Sequence, residues 1–376
     1  MKLLLISLLS FFSFSLLAQQ ENYLLVGTYT GGKSEGIYVY KFNSSNADFS
    51  LVSTAKTSNP SFLAVSPDEK NVYAVNENAD SSRFTTGGSI AAFSFDKKNG
   101  TLSAINKESS GGKHPCYVAV DKTGKWATTA NYSSGDFSVL PIRKDGSLGV
   151  ATQTIHDTGS GPVKGRQDVP HVHSTTFSTD NKYLFVADLG TDQLFSYHFN
   201  SRNGMVTPTD QSFFKTVPGS GPRHFAFHPN NKFAYLIEEL SGNIVTFDYS
   251  DGKLSELQTI SAHPVNYTGV IGSADIHVSS DGKFLYCSNR GESNTIGIFS
   301  IDQVTGKLTL IGHQSTLGSG PRNFNFDPSG NFLLVANQNS DSIIIFKIDK
   351  ATGLLTDTGK KIDVPVPVCV KWIGGK

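Results

Sequence analysis

The chain repeats itself, and the repeat leaves few folds open. Six times a short apolar run meets a polar turn and then a second apolar run. The first runs begin at Ser61, Cys116, His173, Arg223, Ala274 and Arg322. The second runs end at Asn76, Asn131, Asp188, Glu238, Asn289 and Asn337. The period is roughly fifty residues, enough for four short strands and their turns. Two more strand-like runs complete each copy, as at 90–95 followed by Asn99-Gly100, or 244–249 followed by Asp251-Gly252. Alternating strands separated by such turn dipeptides form antiparallel sheets.

Two fragments remain. Residues 366–373 match the first strand of a unit and residues 24–28 the second. Joined, they make a seventh unit that closes a ring and leaves no open sheet edge. No segment sustains a helical period, and a solenoid would need capping ends. The fold class expected is therefore all-β: a seven-bladed β-propeller of four-stranded antiparallel blades, its last blade shared by the N- and C-terminal strands.

At the N-terminus Lys2 precedes an uncharged apolar stretch, 3–17, and Ala18 stands before Gln19. This pattern predicts a signal peptide over residues 1–18, a single propeller domain over 19–376, and a secreted or periplasmic location. The stretch is too short for a comfortable membrane span, so no membrane insertion is expected after cleavage. With 32 basic and 32 acidic residues, no field of one sign favours nucleic acid or an anionic membrane. Apolar residues make up 38% of the chain, with 26 Phe and 13 Tyr, ample for a core. Cys116, Cys287 and Cys369 all fall in apolar strands and read as small buried side chains.

An antiparallel hairpin reverses the chain, so each first strand starts where the second ends. Residues at those points gather on one face of the disk. The first ring reads Ser61, Cys116, His173, Arg223, Ala274, Arg322 and Val368. The ring one residue past the second strands is expected to hold Thr28, Glu77, Tyr132, Leu189, Glu239, Arg290 and Gln338. Structural repeat positions converge on one residue type, yet these rings mix His, Arg, Glu and apolar residues. The neighbouring Asn/Asp/Glu ring is nearly uniform, which suits a hydrogen-bonding role between chain segments.

His173, Arg223, Glu239, Arg290 and Arg322 are thus placed around one opening. A histidine and a carboxylate can exchange protons, and guanidinium groups bind anions or a developing oxyanion. Three arginines face only Glu77 and Glu239, so the expected ligand is anionic. Arg223 and Arg322 both follow Gly-Ser-Gly-Pro and could instead be structural, pairing with loop carbonyls. His171 and His173, two apart in a strand, could touch one ligand. No third ligand completes a metal set, and neither metal nor cofactor is expected. His114, His277 and His313 read as hydrogen-bonded structural or surface residues. Glycine-rich stretches at 159–161, 219–221 and 318–320 precede prolines at what reads as one repeat position, and none opens the helix a phosphate loop requires. No serine elbow is present.

Gly219-Ser220-Gly221-Pro222-Arg223-His224-Phe225, 187–192, Ser288-Asn289-Arg290-Gly291 and 335–340 resemble motifs of the seven-bladed propeller lactonases. That family includes propeller-type 6-phosphogluconolactonases and fungal carboxy-cis,cis-muconate lactonising enzymes, and the resemblance spans the chain from about Tyr23 to Trp372. It implies a catalytic set of His173, Arg223 and Glu239, with His171 the alternative histidine. Arg290 matches the family's further arginine, with Arg322 in reserve. His171, Arg290, Arg322, Glu77 and Gln338 are the expected substrate-binding residues. The expected activity is hydrolysis of a sugar-derived or related hydroxy-acid lactone, small and anionic, by a monomer. The alternatives are a lactonising cycloisomerase and a non-catalytic propeller that binds a ligand or partner.

Overall fold

A computed structural model of the chain describes residues 22–79 and 87–374; the expected signal peptide lies outside them. Seven sheets of four antiparallel strands surround a channel. The innermost strands are Leu63–Val65, Pro115–Val120, Val172–Phe177, Pro222–Phe227, Ser273–Val278, Pro321–Phe326 and Pro367–Ile373. Each touches the next in a closed circle, the last returning to the first. In the closing blade Pro367–Ile373 pairs with Asn22–Thr28, running from Tyr23 opposite Ile373 to Thr28 opposite Pro367. The ring expected from the sequence is the ring observed.

The core lies between neighbouring blades rather than inside one. Strand alternation sends one set of side chains to each face of a sheet, and both faces meet another sheet. Phe284, Tyr286 and Ile298 from one blade pack against Phe324, Val335 and Phe346 of the next. Each fully buried side chain of this size contributes about 1.5–3 kcal/mol. The hydroxyls of Tyr73, Tyr235 and Tyr286 donate to the carbonyls of Gly146, Gly306 and Gly353 at 3.0, 3.0 and 2.7 Å. The same tie thus locks three blade pairs. Cys116, Cys287 and Cys369 are unpaired and buried, as expected of small core side chains.

The near-uniform ring is structural. The side-chain amides of Asn76, Asn131, Asn289 and Asn337 donate to the carbonyls of Ser58, Ser110, Ala262 and Thr316, where the outer strands finish. Each tie fixes the exit of a blade's outermost strand at the channel face.

Candidate active site

Two backbone devices aim side chains into the channel. The first is a β-bulge at the start of the innermost strands. His173, Arg223, Arg322 and Cys116 are each skipped by the pairing register, the extra residue opposite none. A bulge twists the strand and redirects its side chain, so these residues turn toward the axis. A small cavity of about 10 Å³ lies there, lined by Ser61, Cys116, His173, Arg223, Arg322 and Val368 together with Phe62, His224 and Asn323.

The second device is a hydrogen bond repeated in every blade. The amides of Tyr29, Glu77, Tyr132, Leu189, Glu239, Arg290 and Gln338 donate to the carbonyls of Val366, Asn59, His114, His171, Gly221, Gly272 and Gly320. Each acceptor sits two residues before a ring residue of the innermost strand. These seven bonds define the mouth ring and correct one expected member. Thr28 pairs with Pro367 as Asn131 pairs with Pro115, so Thr28 belongs to the near-uniform ring of Asn131 and Tyr29 stands at the mouth. The slip is one of strand end: the strand runs to Thr28, and Thr28 lacks the Asn, Asp or Glu that marks this position in the other blades.

At five of the seven turns the acceptor residue has a positive φ: Asn59, His114, Gly221, Gly320 and Val366. This explains the glycine before Pro222 and before Pro321. At Gly221, φ is +66° and an added Cβ would stand 2.7 Å from Leu240. The stretch at 159–161 is not the third copy expected of this turn. It opens the long connection 157–171, and His171 holds the acceptor position instead.

Glu239 is the centre of one wall. Arg223 Nε donates to its Oε2 at 2.8 Å, Arg290 reaches the same oxygen at 2.9 Å, and Arg166 donates to Oε1 at 2.6 Å. His173 Nε2 stands 4.0 Å from Oε2. Burial alone would raise the Glu239 carboxyl, but Arg290, Arg223, His173 and Arg166 outweigh it and hold it well below its ordinary value. His173 is pushed well below the usual imidazole range by burial and by Arg223, so it is neutral at neutral pH. Burial and the neighbouring Arg290 lower Arg223 to about 10, which leaves it charged.

The opposite wall is built on Glu77. Its Oε2 accepts from the Tyr29 hydroxyl at 2.8 Å and from the Ser61 hydroxyl. Arg322 lies over the Tyr29 ring, 5.6 Å from its centroid. Among the described residues no hydrogen bond or ion pair satisfies the Arg322 guanidinium. It differs in this from Arg166, Arg223 and Arg290, which all pair with Glu239.

The structure separates the two candidate histidines. His171 precedes the strand, stacks on Tyr132 with centroids 4.4 Å apart, and turns Nδ1 to the Tyr132 carbonyl at 2.8 Å. His173 lines the cavity, edge-on to Tyr132 and facing Glu239. The bulge at His173 breaks the alternation that would have put both rings on one face. Gln338 occupies the mouth ring through its amide, partly exposed. Arg223 also has a structural contact of the kind expected, since Nη1 donates to the Ala274 carbonyl, in a neighbouring strand and not in a loop.

Arg166 was not foreseen, because it comes from the connection 157–171 and not from the repeat. The excess length of that connection over its counterparts at 216–221 and 316–320 is the signal that could have found it. Tyr29 and the His224–Asp275 pair behind Arg223 were likewise missed.

This seven-bladed propeller falls in one recognised class. The family described as lactonase, 7-bladed beta-propeller, matches residues 23–372, and the chain belongs to it. A 6-phosphogluconolactonase of Formosa agariphila is 43% identical over 336 residues, 88% of this chain and 94% of the relative. A 6-phosphogluconolactonase of Bacillus subtilis is 38% identical over 351 residues, 93% and 97% of the two chains. The structure of the periplasmic gluconolactonase of Pseudomonas aeruginosa superposes with a TM-score of 0.89 at 38% identity, covering 94% of this chain and 99% of that one.

Proposed function

We propose that this chain hydrolyses a sugar-derived or related hydroxy-acid lactone, in the manner of the 6-phosphogluconolactonases, at the mouth of the propeller channel. The observation that carries the reading is the clamp of three arginines on Glu239 beside a neutral, buried His173. Glu239 is too heavily paired to accept a proton. His173 is the group free to do so.

In this reading water attacks the ring carbonyl while His173 takes its proton, and Glu239 stabilises the imidazolium that forms. The carbon–oxygen double bond opens to an oxyanion that Arg223 receives. Collapse restores the carbonyl and breaks the ring carbon–oxygen bond, and His173 returns the proton to the departing alkoxide. A positioned base contributes roughly 10²–10⁴-fold and an oxyanion donor roughly 10²–10³-fold. Arg290 steadies Glu239, and the unpaired Arg322 takes the carboxylate or phosphate of the substrate. Glu77, Gln338 and His171 complete the substrate wall with acceptors and donors for hydroxyls.

No helix among the described residues is long and apolar enough to cross a membrane. We read the protein as exported by its N-terminal signal and active as a monomer, and fractionation and sedimentation test both.

The functional test is a pH-indicator assay of the purified protein with D-glucono-1,5-lactone, its 6-phosphate and aromatic-acid lactones, beside Arg223→Ala. Hydrolysis that collapses in the variant is expected. A folded protein that opens none of them, or a variant at wild-type rates, overturns the reading.

A further inference from the structure

Arg223 has five donor hydrogens, and the fold accounts for three. Nε–H goes to Glu239, and Nη1 serves both the Ala274 carbonyl and His224 Nε2, the latter at 3.3 Å. Nη2 has no acceptor among the described residues, and Arg223 lines the cavity. The nitrogen offered to a ligand is therefore set by what occupies the other two.

The state of His224 follows from its neighbours. Nδ1 lies 2.8 Å from the Asp275 carboxylate, which only accepts, so Nδ1 carries the hydrogen. Nε2 faces a guanidinium, which only donates, so Nε2 offers its lone pair. Both contacts select the same neutral tautomer. Burial and Arg223 lower the ring to about 4, which keeps it neutral across the neutral range.

Asp275 is fixed in turn. It accepts from His277 Nε2 at 2.9 Å, from the Asn323 amide, and from the backbone of Ile276 at 3.0 Å. Asn323 Oδ1 accepts from the amide of Val370 at 2.7 Å, so the chain of bonds crosses four blades. Burial alone would raise Asp275, but His277 and His224 keep it well below its ordinary value.

We infer that His224, held by Asp275, is the positioning residue for Arg223: it fixes the guanidinium so that Nη2 alone meets the substrate's developing oxyanion. This rests on the proposed lactonase reading. Without His224 the guanidinium would keep its charge, its pair with Glu239 and its bond to the Ala274 carbonyl, but it would lose the third of its fixed hydrogens and could tilt on the two that remain. Such looseness should appear in turnover more than in binding.

The test is steady-state hydrolysis of D-glucono-1,5-lactone by His224→Phe, His224→Gln, Asp275→Asn and Arg223→Ala, each checked for native near-ultraviolet dichroism. Phe keeps the ring packed against Phe62 and Tyr117 but removes the acceptor, and Gln restores one. The expected result is a kcat lowered about tenfold or more in His224→Phe with KM within about threefold, and recovery of most of that loss in His224→Gln. If Asp275→Asn does not fold, the His224 pair alone decides. Folded His224→Phe at wild-type kcat, beside an Arg223→Ala that has lost activity, overturns the positioning role and leaves the lactonase reading intact. Full activity in Arg223→Ala removes both.

Discussion

His173 Nε2 lies 4.0 Å from Glu239 Oε2, and the carboxylate is the one group among its main neighbours that favours protonation of the ring. Burial, Arg223, His224 and Arg322 all act against it. A base must be neutral to work, so the rate should rise as pH climbs through the depressed His173 value and then stay level across neutrality. Glu239→Gln removes the one opposing charge. The acid limb of the kcat profile should then move to lower pH, with kcat down roughly 10²-fold or more. Corrected for spontaneous hydrolysis, an unmoved limb would detach Glu239 from His173.

Among the described arginines at the mouth, Arg322 alone makes no hydrogen bond or ion pair, and its loss should be felt only by substrates that carry an anion. A charge-assisted hydrogen bond is worth about 1.5–3 kcal/mol. Arg322→Gln should raise KM for the 6-phosphorylated lactone about ten- to a hundredfold. KM for the unphosphorylated lactone should change less than about threefold. Equal effects on both would place the anion elsewhere.

Asp157 and Asp188 face each other at the foot of the connection that carries Arg166. Burial, with Asp188 beside it, pushes Asp157 up to about 8, so the folded protein holds a proton there that the unfolded chain, titrating near 3.8, releases. Stability from this group is therefore complete below the unfolded value and lost as pH rises through about 8. Asp157→Asn should flatten the decline of melting temperature across that window. A decline as steep as in the wild type would show that the pair does not share a proton.

Val366 adopts a φ of 44°, a region that costs a β-branched residue about 1–2 kcal/mol. The turn demands it, since the Val366 carbonyl receives the Tyr29 amide and its own amide reaches Asp341. Asn tolerates this conformation. Val366→Asn should add about 1 kcal/mol of stability, read as a higher denaturation midpoint, with turnover unchanged.

The blades were legible because strand alternation and turn dipeptides recur at a fixed period, and the closing blade because two fragments complete one another. The hairpin reversal also sufficed to put His173, Arg223, Glu239, Arg290 and Arg322 at one opening. Other features depend on local geometry that no periodic pattern encodes. A threonine in place of the usual Asn, Asp or Glu at the strand end, Thr28, hid Tyr29. The bulge at His173 separated it from His171. Arg166 sits on a connection longer than its counterparts at 216–221 and 316–320. The pairing of three arginines with Glu239, leaving Arg322 alone, depends on side-chain reach across the channel. The sequence could count those charges but could not match them.

The most direct test is the turnover of 6-phospho-D-glucono-1,5-lactone by the wild type and by His173→Ala, followed through proton release at neutral pH. The account predicts hydrolysis by the wild type and a fall of roughly 10²–10⁴-fold in the variant. A folded His173→Ala that turns over as fast as the wild type would contradict it.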